Sequence, residues 1–310
     1  MMKKMKKIIS LLLIIILGAG GFGAYQANQT LNIFQKYSLN KKPLTNKSPD
    51  TLSAKLSNQQ TVNILLLGVD TGALKRHFVG RSDTIMILSM NPRTKTSVLM
   101  SVPRDMGAIM PGQAQAGEAK LNTAYELGGP QAIAKCVQQK VKVPLDGYAV
   151  INMGGLTDML KAVGGVYVKS NLTFEQDWYN FKKGHIYHLH GRKALAYIRA
   201  RHTDPLGDYG RQIRQRQVLK ALVKKLTHST ILLKPQVAKK IAKQVKTDIT
   251  KPDAIKLALH YRKSLNAMHG CHVQGQSQEV YNMNYGLMEI EHVGPNESHH
   301  VTNIIKKNMY

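Results

Sequence analysis

Apolar residues fall in short runs through most of the chain. Residues 63–69 form one such run, closing on Gly68-Val69-Asp70, as a buried strand does. Residues 83–90 and 96–102 repeat the pattern, with Asn91-Pro92-Arg93 as the turn signal between them. Residues 122–140 have helical spacing, with a break predicted at Gly128-Gly129-Pro130. Residues 148–151 read as strand, 156–163 as a helix stopped by Gly164-Gly165, and 166–169 as strand again. Helices follow over 192–199, after Gly191, and over 211–226. Two basic amphipathic helices (235–245 and 252–268), a strand at 287–293 and a closing helix at 296–307 complete the pattern. Interleaved strands and helices predict the α/β class, a mixed central sheet covered by helices on both faces. With no internal repeat, one domain over residues 61–310 is the simplest organisation.

The first 60 residues follow a different pattern. Residues 1–7 hold four lysines and precede an apolar stretch, residues 8–24, that carries no charge. About 17 apolar residues is the lower edge of what crosses a bilayer as a helix. Lysines before the span place a short cytoplasmic tail at 1–7, a transmembrane signal anchor at 8–24, and the rest outside the cell membrane. The small residues of 18–24 also leave room for cleavage. Residues 25–60 are polar, contain Pro43 and Pro49, and read as a stalk.

Charge narrows the partners. Lys and Arg total 44 against 18 Asp and Glu, a formal net charge of +26, which suits a polyanion: nucleic acid, anionic membrane lipid or an acidic polymer. No helix-turn-helix, zinc-finger or aromatic RNA-binding signature is present, so nucleic acid is not an expected partner. The two cysteines, Cys136 and Cys271, make neither a disulfide scaffold nor a CxxC metal site. His185, His188 and His190 lack a Cys or acidic partner at zinc-ligand spacing and read as a polar loop. A Gly-x-Ser-x-Gly nucleophile motif is missing, which argues against serine-hydrolase chemistry.

Four clusters set Arg and Asp beside apolar strands: Asp70; Arg81-Ser82-Asp83-Thr84; Pro103-Arg104-Asp105; and residues 199–211, running on to Arg214-Gln215. Ligands of open α/β sheets gather where strands end. Guanidinium forks match phosphate oxygens, so converging arginines suit a diphosphate. Two carboxylates facing the same site suit Mg²⁺, or Mn²⁺ with the same oxygen ligands. A further carboxylate can accept the proton of an attacking hydroxyl. Arg211, Arg214 and Gln215 share one helix face, whereas Arg199 and Arg201, two apart on a helix, would diverge. Each Asp also has a plainer reading as a strand-end cap or ion-pair partner, and Arg214 as a surface residue of a basic helix.

In order and wording these segments resemble the LytR–CpsA–Psr family. The landmarks stand here as Asn63-Ile64-Leu65-Leu66-Leu67-Gly68-Val69-Asp70, Arg81-Ser82-Asp83-Thr84-Ile85-Met86, Ser101-Val102-Pro103-Arg104-Asp105 and Lys120-Leu121-Asn122-Thr123-Ala124-Tyr125. Gly164-Gly165-Val166, Ala196-Tyr197-Ile198-Arg199-Ala200-Arg201 and Asp208-Tyr209-Gly210-Arg211-Gln212-Ile213-Arg214-Gln215 follow, so the likeness covers residues 62–225. The resemblance implies an α-β-α sandwich with a hydrophobic tunnel for a polyprenyl chain, an Arg-rich mouth and a Mg²⁺ ion. The activity it implies moves an undecaprenyl-(pyro)phosphate-linked glycopolymer, teichoic acid or capsular polysaccharide, onto a muramic hydroxyl of peptidoglycan as a phosphodiester. It implies Asp70 and Asp83 as metal ligands. Arg81, Arg104, Arg199, Arg201, Arg211 and Gln215 bind phosphate, and Arg214 joins them on the shared helix face. Arg81, Asp83 and Arg104 serve catalysis, with Asp208 or Asp105 as base or orienter. A non-catalytic binder of the same lipid or polymer, regulating envelope assembly, is the alternative. Two departures from the family pattern are Met106 and the basic run Lys75-Arg76-His77; the second bears on which polymer is accepted.

Overall fold

Alternation along β1 (Val62–Val69) sends Ile64 and Leu66 to one hydrophobic core and Leu65 and Leu67 to another. A strand covered on both faces reads as a continuous apolar run, which is why its sequence shows no period of two. The computed structural model describes residues 32–33, 35–36, 44, 51–70, 80–227 and 234–309. The expected tail and anchor, most of the stalk, and Lys75-Arg76-His77 lie outside these residues. Among the described residues no helix is long and apolar enough to cross a membrane.

β1 pairs antiparallel with β2 (Ser82–Asn91), which pairs antiparallel with β3 (Thr96–Val102). Two three-residue strands, β4 (Gly107–Ile109) and β5 (Glu118–Lys120), lead into α2 (Thr123–Val141), which breaks where expected: Gly129 has φ +62°. β6 (Gly147–Asn152) runs parallel to β1. α3 (Met153–Ala162) and β7 (Val166–Lys169) follow, then a hairpin of β8 (Phe174–Gln176) and β9 (Tyr179–Phe181), then β10 (Ile186–Leu189). α4 (Gly191–Arg199), α5 (Gly207–Thr227), α6 (Pro235–Ala242), β11 (Val245–Thr247) and α7 (Lys251–Lys256) come next. β12 (Ala267–His272), a hairpin of β13 (Gln276–Asn282) and β14 (Gly286–His292), and α8 (Pro295–Met309) close the chain. The main sheet has the order β11-β6-β1-β2-β3-β12 with both parallel and antiparallel pairs, the mixed sheet that the pattern predicts.

Two expectations are corrected. Residues 51–57, assigned to the stalk, are part of the folded domain: α1 (Leu52–Ser57) buries Leu56 in the core, and Lys55 meets the buried carboxylate of Asp146 at 2.7 Å. The helix predicted over 252–268 is interrupted after α7 by a π turn (Leu257–Tyr261) and a 3-10 turn (Arg262–Leu265). Its last residues become β12, which pairs parallel with β3, because the open edge of β3 offers backbone partners that override local helix preference. Met106, a departure from the family pattern, is fully buried in the second core and fills space there.

Candidate functional site

Strand directions gather the first three clusters. β1 and β3 end, and β2 begins, at one edge of the sheet, so Asp70, Arg81, Asp83, Arg104 and Asp105 meet there. A polar pocket at this edge is lined by those five together with Lys120, Asn122, Gln176, Arg199, Arg201, His202 and Arg211. Asp70 accepts the Arg81 backbone N–H at 2.9 Å, which ties the two strand ends. At Gly68, a Cβ would lie 2.8 Å from the Thr84 Cβ, so glycine lets β1 bend at its bulge and deliver Asp70. The Arg81 guanidinium pairs with Glu126 at 3.2 Å.

Arg104 stands at the electrostatic centre. It donates to Asp83 at 2.5 Å and faces Asp105 at 3.5 Å and Asp208 at 3.9 Å. Burial works to lower its pKa, but the three carboxylates outweigh it and hold the guanidinium more firmly protonated than usual. Arg211 shows the opposite balance: desolvation prevails over its 2.7 Å bridge to Asp208 and lowers its pKa. Burial pushes Asp208 upward, yet Arg211, Gln212 and Arg104 bring it below the usual carboxylate range. Among the described residues the buried Nε–H groups of Arg104 and Arg211 lack a hydrogen-bond acceptor, although the Arg104 Nε lies 3.5 Å from Asp105. Such orphaned cationic donors are costly unless a ligand oxygen meets them.

Arg199 and Arg201 both line the pocket, against the expectation that they diverge. α4 ends at Arg199, and Ala200 is already out of helical geometry (φ −54°, ψ 127°), so helix-face spacing does not apply to the pair. Arg214 is corrected more sharply. It is neither a surface residue nor a pocket residue. Its side chain is fully buried, paired with Asp204 at 2.5 Å, bonded to the Ala200 carbonyl, and stacked 4.9 Å from the Phe174 ring. It fixes the 200–204 loop that carries Arg201 and His202. Asp208 lies behind the pocket wall, where it holds Arg104 and Arg211, whereas Asp105 lines the pocket. Site prediction from sequence passed over Lys120, 3.4 Å from Asp105, although it stands in a quoted landmark. It passed over Asn122, Gln176 and His202 as well, and Gln176 had no motif to mark it.

An apolar cleft opens beside this pocket. Leu66, Met86, Ile151, Leu156, Val218 and Leu219 are among its walls. Met153, Arg199 and Arg211 line both cavities, and Gln215 lies on the apolar side. Residues of α3 and α5 that a sequence cannot distinguish from plain core therefore border open space.

An apolar cleft and a cation-rich pocket that share Met153, Arg199 and Arg211 have the chemistry to suit a molecule with a hydrocarbon tail and a phosphate head. The chain belongs to the LytR_cpsA_psr family, whose pattern matches residues 25–299. It is 40% identical over 221 residues to the polyisoprenyl-teichoic acid–peptidoglycan teichoic acid transferase TagU of Enterococcus faecalis, covering 71% of this chain and 72% of that one. To TagU of Bacillus cereus it is 34% identical, with 88% of each chain covered. The crystal structure of B. subtilis TagU superposes with a TM-score of 0.62 at 28% identity, covering 81% of this chain and 97% of that one.

Proposed function

We propose that this protein transfers a teichoic-acid-type glycopolymer from a polyisoprenyl (pyro)phosphate carrier to a hydroxyl of peptidoglycan. The observation that carries this reading is the junction of the two cavities. Among the described residues Arg199 and Arg201 have no carboxylate partner, and Arg104, held by Asp83, and Arg211, held by Asp208, stand beside them. These cationic donors line the polar pocket, and Arg199 and Arg211 also border the apolar cleft. A diphosphate seated there keeps its polyprenyl tail among Leu66, Leu156 and Leu219, out of water, and meets the waiting guanidinium donors with its oxygens. The carrier side is then an undecaprenyl or similar chain, and the anchor expected at 8–24 holds the domain at the outer face of the membrane that contains it.

The chemistry follows from that placement. The acceptor hydroxyl attacks the polymer-bearing phosphorus, the bond to the bridging oxygen breaks, and polyprenyl phosphate departs while the polymer remains as a phosphodiester. The arginines hold the phosphate oxygens in line and take up the charge that builds on the leaving group. Asp105, on the pocket wall and kept oriented by Arg104 and Lys120, receives the hydroxyl proton. Asp70 and Asp83 fit Mg²⁺, which binds through one or two carboxylates and completes its shell with phosphate and water. When bound, the ion would withdraw negative charge from the diphosphate; Mn²⁺ fits the same oxygens.

The test is a transfer assay with the full chain, a lipid-linked glycan and a peptidoglycan oligomer, run with Mg²⁺, with Mn²⁺ and with chelator. Mass spectrometry should find the new phosphodiester. Tight binding of the lipid-linked glycan without that product would favour a binding regulator over an enzyme.

A further inference from the structure

We infer that Trp178, at the tip of the β8–β9 hairpin, is a stacking platform for a sugar ring of a saccharide, donor or acceptor, that reacts at the polar pocket. This rests on the transfer reading above and adds to it a carbohydrate subsite. Phe174, Phe181 and Tyr197 form an aromatic cluster at the hairpin's base, with Phe174 and Phe181 stacked 4.7 Å apart, and the buried Arg214 lies against Phe174. The hairpin is therefore anchored to the fold by the same side chain that fixes the Arg201 loop. Gln176, the last residue of β8, lines the polar pocket. The next two residues make the turn, and both have positive φ: Asp177 at 49° and Trp178 at 68°.

That turn is of the type that favours Asn-Gly. A bulky aromatic residue in left-handed geometry is a rare outlier, and such outliers cluster at ligand sites. Trp178 is also 96% exposed, so no packing explains its presence there. It is an indole face held in water within two residues of the phosphate pocket.

Exposed tryptophan suits either a sugar or a membrane interface, and charge separates the two. In a chain of net charge +26, residues 174–181 carry Glu175 and Asp177 and no Lys or Arg; Lys182 and Lys183 follow at the base. An acidic tip is repelled by anionic lipid. Carboxylates and amides beside an aromatic plane instead provide hydrogen-bond acceptors and donors for sugar hydroxyls, with Gln176 donating to Asp177 at 2.9 Å in the free site. With the carrier tail in the apolar cleft and its diphosphate at the arginines, a saccharide next to the reacting phosphorus sits in the pocket that Gln176 of this hairpin lines.

Trp178 is the chain's single tryptophan, so emission excited to the red of tyrosine absorption reports on it alone. The full chain is titrated with a peptidoglycan oligosaccharide, with the lipid-linked saccharide, and with polyprenyl phosphate that carries no sugar. A saturable emission change with a saccharide, and none with polyprenyl phosphate, is expected. The peptidoglycan arm marks an acceptor subsite and the lipid-linked arm a donor one. In phosphatidylglycerol vesicles, acrylamide should quench the indole freely until saccharide is added. Silence with both saccharides, or protection by the bilayer alone, overturns the inference. In the transfer assay Trp178→Ala should raise KM for the responding saccharide roughly 3- to 10-fold with kcat little changed, and Trp178→Phe should restore most of it. Wild-type transfer with an unmoved KM in Trp178→Ala defeats the sugar platform and leaves the transferase standing. A saccharide response without any transfer does the reverse.

Discussion

Arg214 of α5 and Asp204 of the preceding loop form an ion pair 2.5 Å long, with the Arg214 side chain wholly enclosed and that of Asp204 nearly so. Gly210 makes room for it, since a Cβ there would collide with the Asp204 carboxylate. Breaking a buried pair strands a charge and costs about 3–5 kcal/mol, whereas replacing both partners with apolar residues costs far less. Asp204→Ala should therefore lower unfolding free energy by about 3–5 kcal/mol in denaturant titrations. The double change Asp204→Leu with Arg214→Met should recover much of that stability. Lipid-phosphate binding should stay weak in the double variant, because the Ala200 carbonyl loses its donor and the loop bearing Arg201 is released. Full binding would show that the loop needs no such clamp.

Among the described residues Arg199 and Arg201 have no ion-pair partner, so their removal should act on substrate and not on the fold. A charge-assisted hydrogen bond contributes about 1.5–3 kcal/mol. Arg199→Ala and Arg201→Ala should each weaken binding of a polyprenyl diphosphate roughly 10- to 150-fold, read by calorimetry, with the melting temperature within a few degrees of wild type. Arg→Lys at either position should recover only part, since an ammonium lacks the bidentate fork.

Asp105 and Asp208, both candidates for base or orienter, divide the work, since Asp105 lines the pocket and Asp208 holds Arg104 and Arg211. Asp105→Asn should cut kcat by roughly 10²- to 10⁴-fold while leaving lipid binding intact, as loss of a proton acceptor does. Asp208→Asn should instead loosen Arg104 and Arg211 and show chiefly as a raised KM. If Asp208→Asn gives the pure kcat defect, the assignment of the base is reversed.

The sheet was legible where runs were long and buried. Residues 62–69, 82–91 and 96–102 carry enough continuous apolar sequence for a strand to be the only short element that fits. The β8–β9 hairpin was not legible, since three-residue strands have no measurable period and Asp177-Trp178 is not a customary turn pair. β12 was hidden because its partner β3 lies some 170 residues earlier, and pairing of that range leaves no local trace. Residue type and strand-end position singled out Asp70, Asp83 and Arg104, and residue type with the family resemblance singled out Arg199 and Arg201; all five line the polar pocket. Arg214 misled because burial, which alone separates a structural guanidinium from a ligand-binding one, is set by Asp204 and Phe174 and not by helix spacing.

The apolar cleft makes affinity a matter of tail length. Each buried methylene contributes about 0.8 kcal/mol, so binding of polyprenyl phosphates should tighten as isoprene units are added until the cleft is full. Leu219→Trp, on the cleft wall, should flatten that dependence while leaving binding of a short-chain diphosphate unchanged. A length series that is already flat in the wild type would place the tail elsewhere.

Asp248 predicts how stability responds to acid. Its two oxygens accept the backbone N–H groups of Tyr148 at 2.8 Å and Leu44 at 3.1 Å, but burial prevails over these bonds and raises its pKa from 3.8 to about 6. A carboxyl whose folded pKa exceeds its unfolded value binds a proton more tightly in the native state. Its contribution is therefore present below about pH 4 and is lost as pH rises through about 6, by about 3 kcal/mol at most. Asp208, held below the usual range, works with the opposite sign at lower pH, so the Asp248 share has to be isolated by difference. Subtracting the unfolding free energy of Asp248→Asn from that of wild type at each pH should give a curve that falls between pH 4 and 6 and is level above 7. A difference that rises across that window would mean that the two backbone donors, not burial, dominate at this carboxyl.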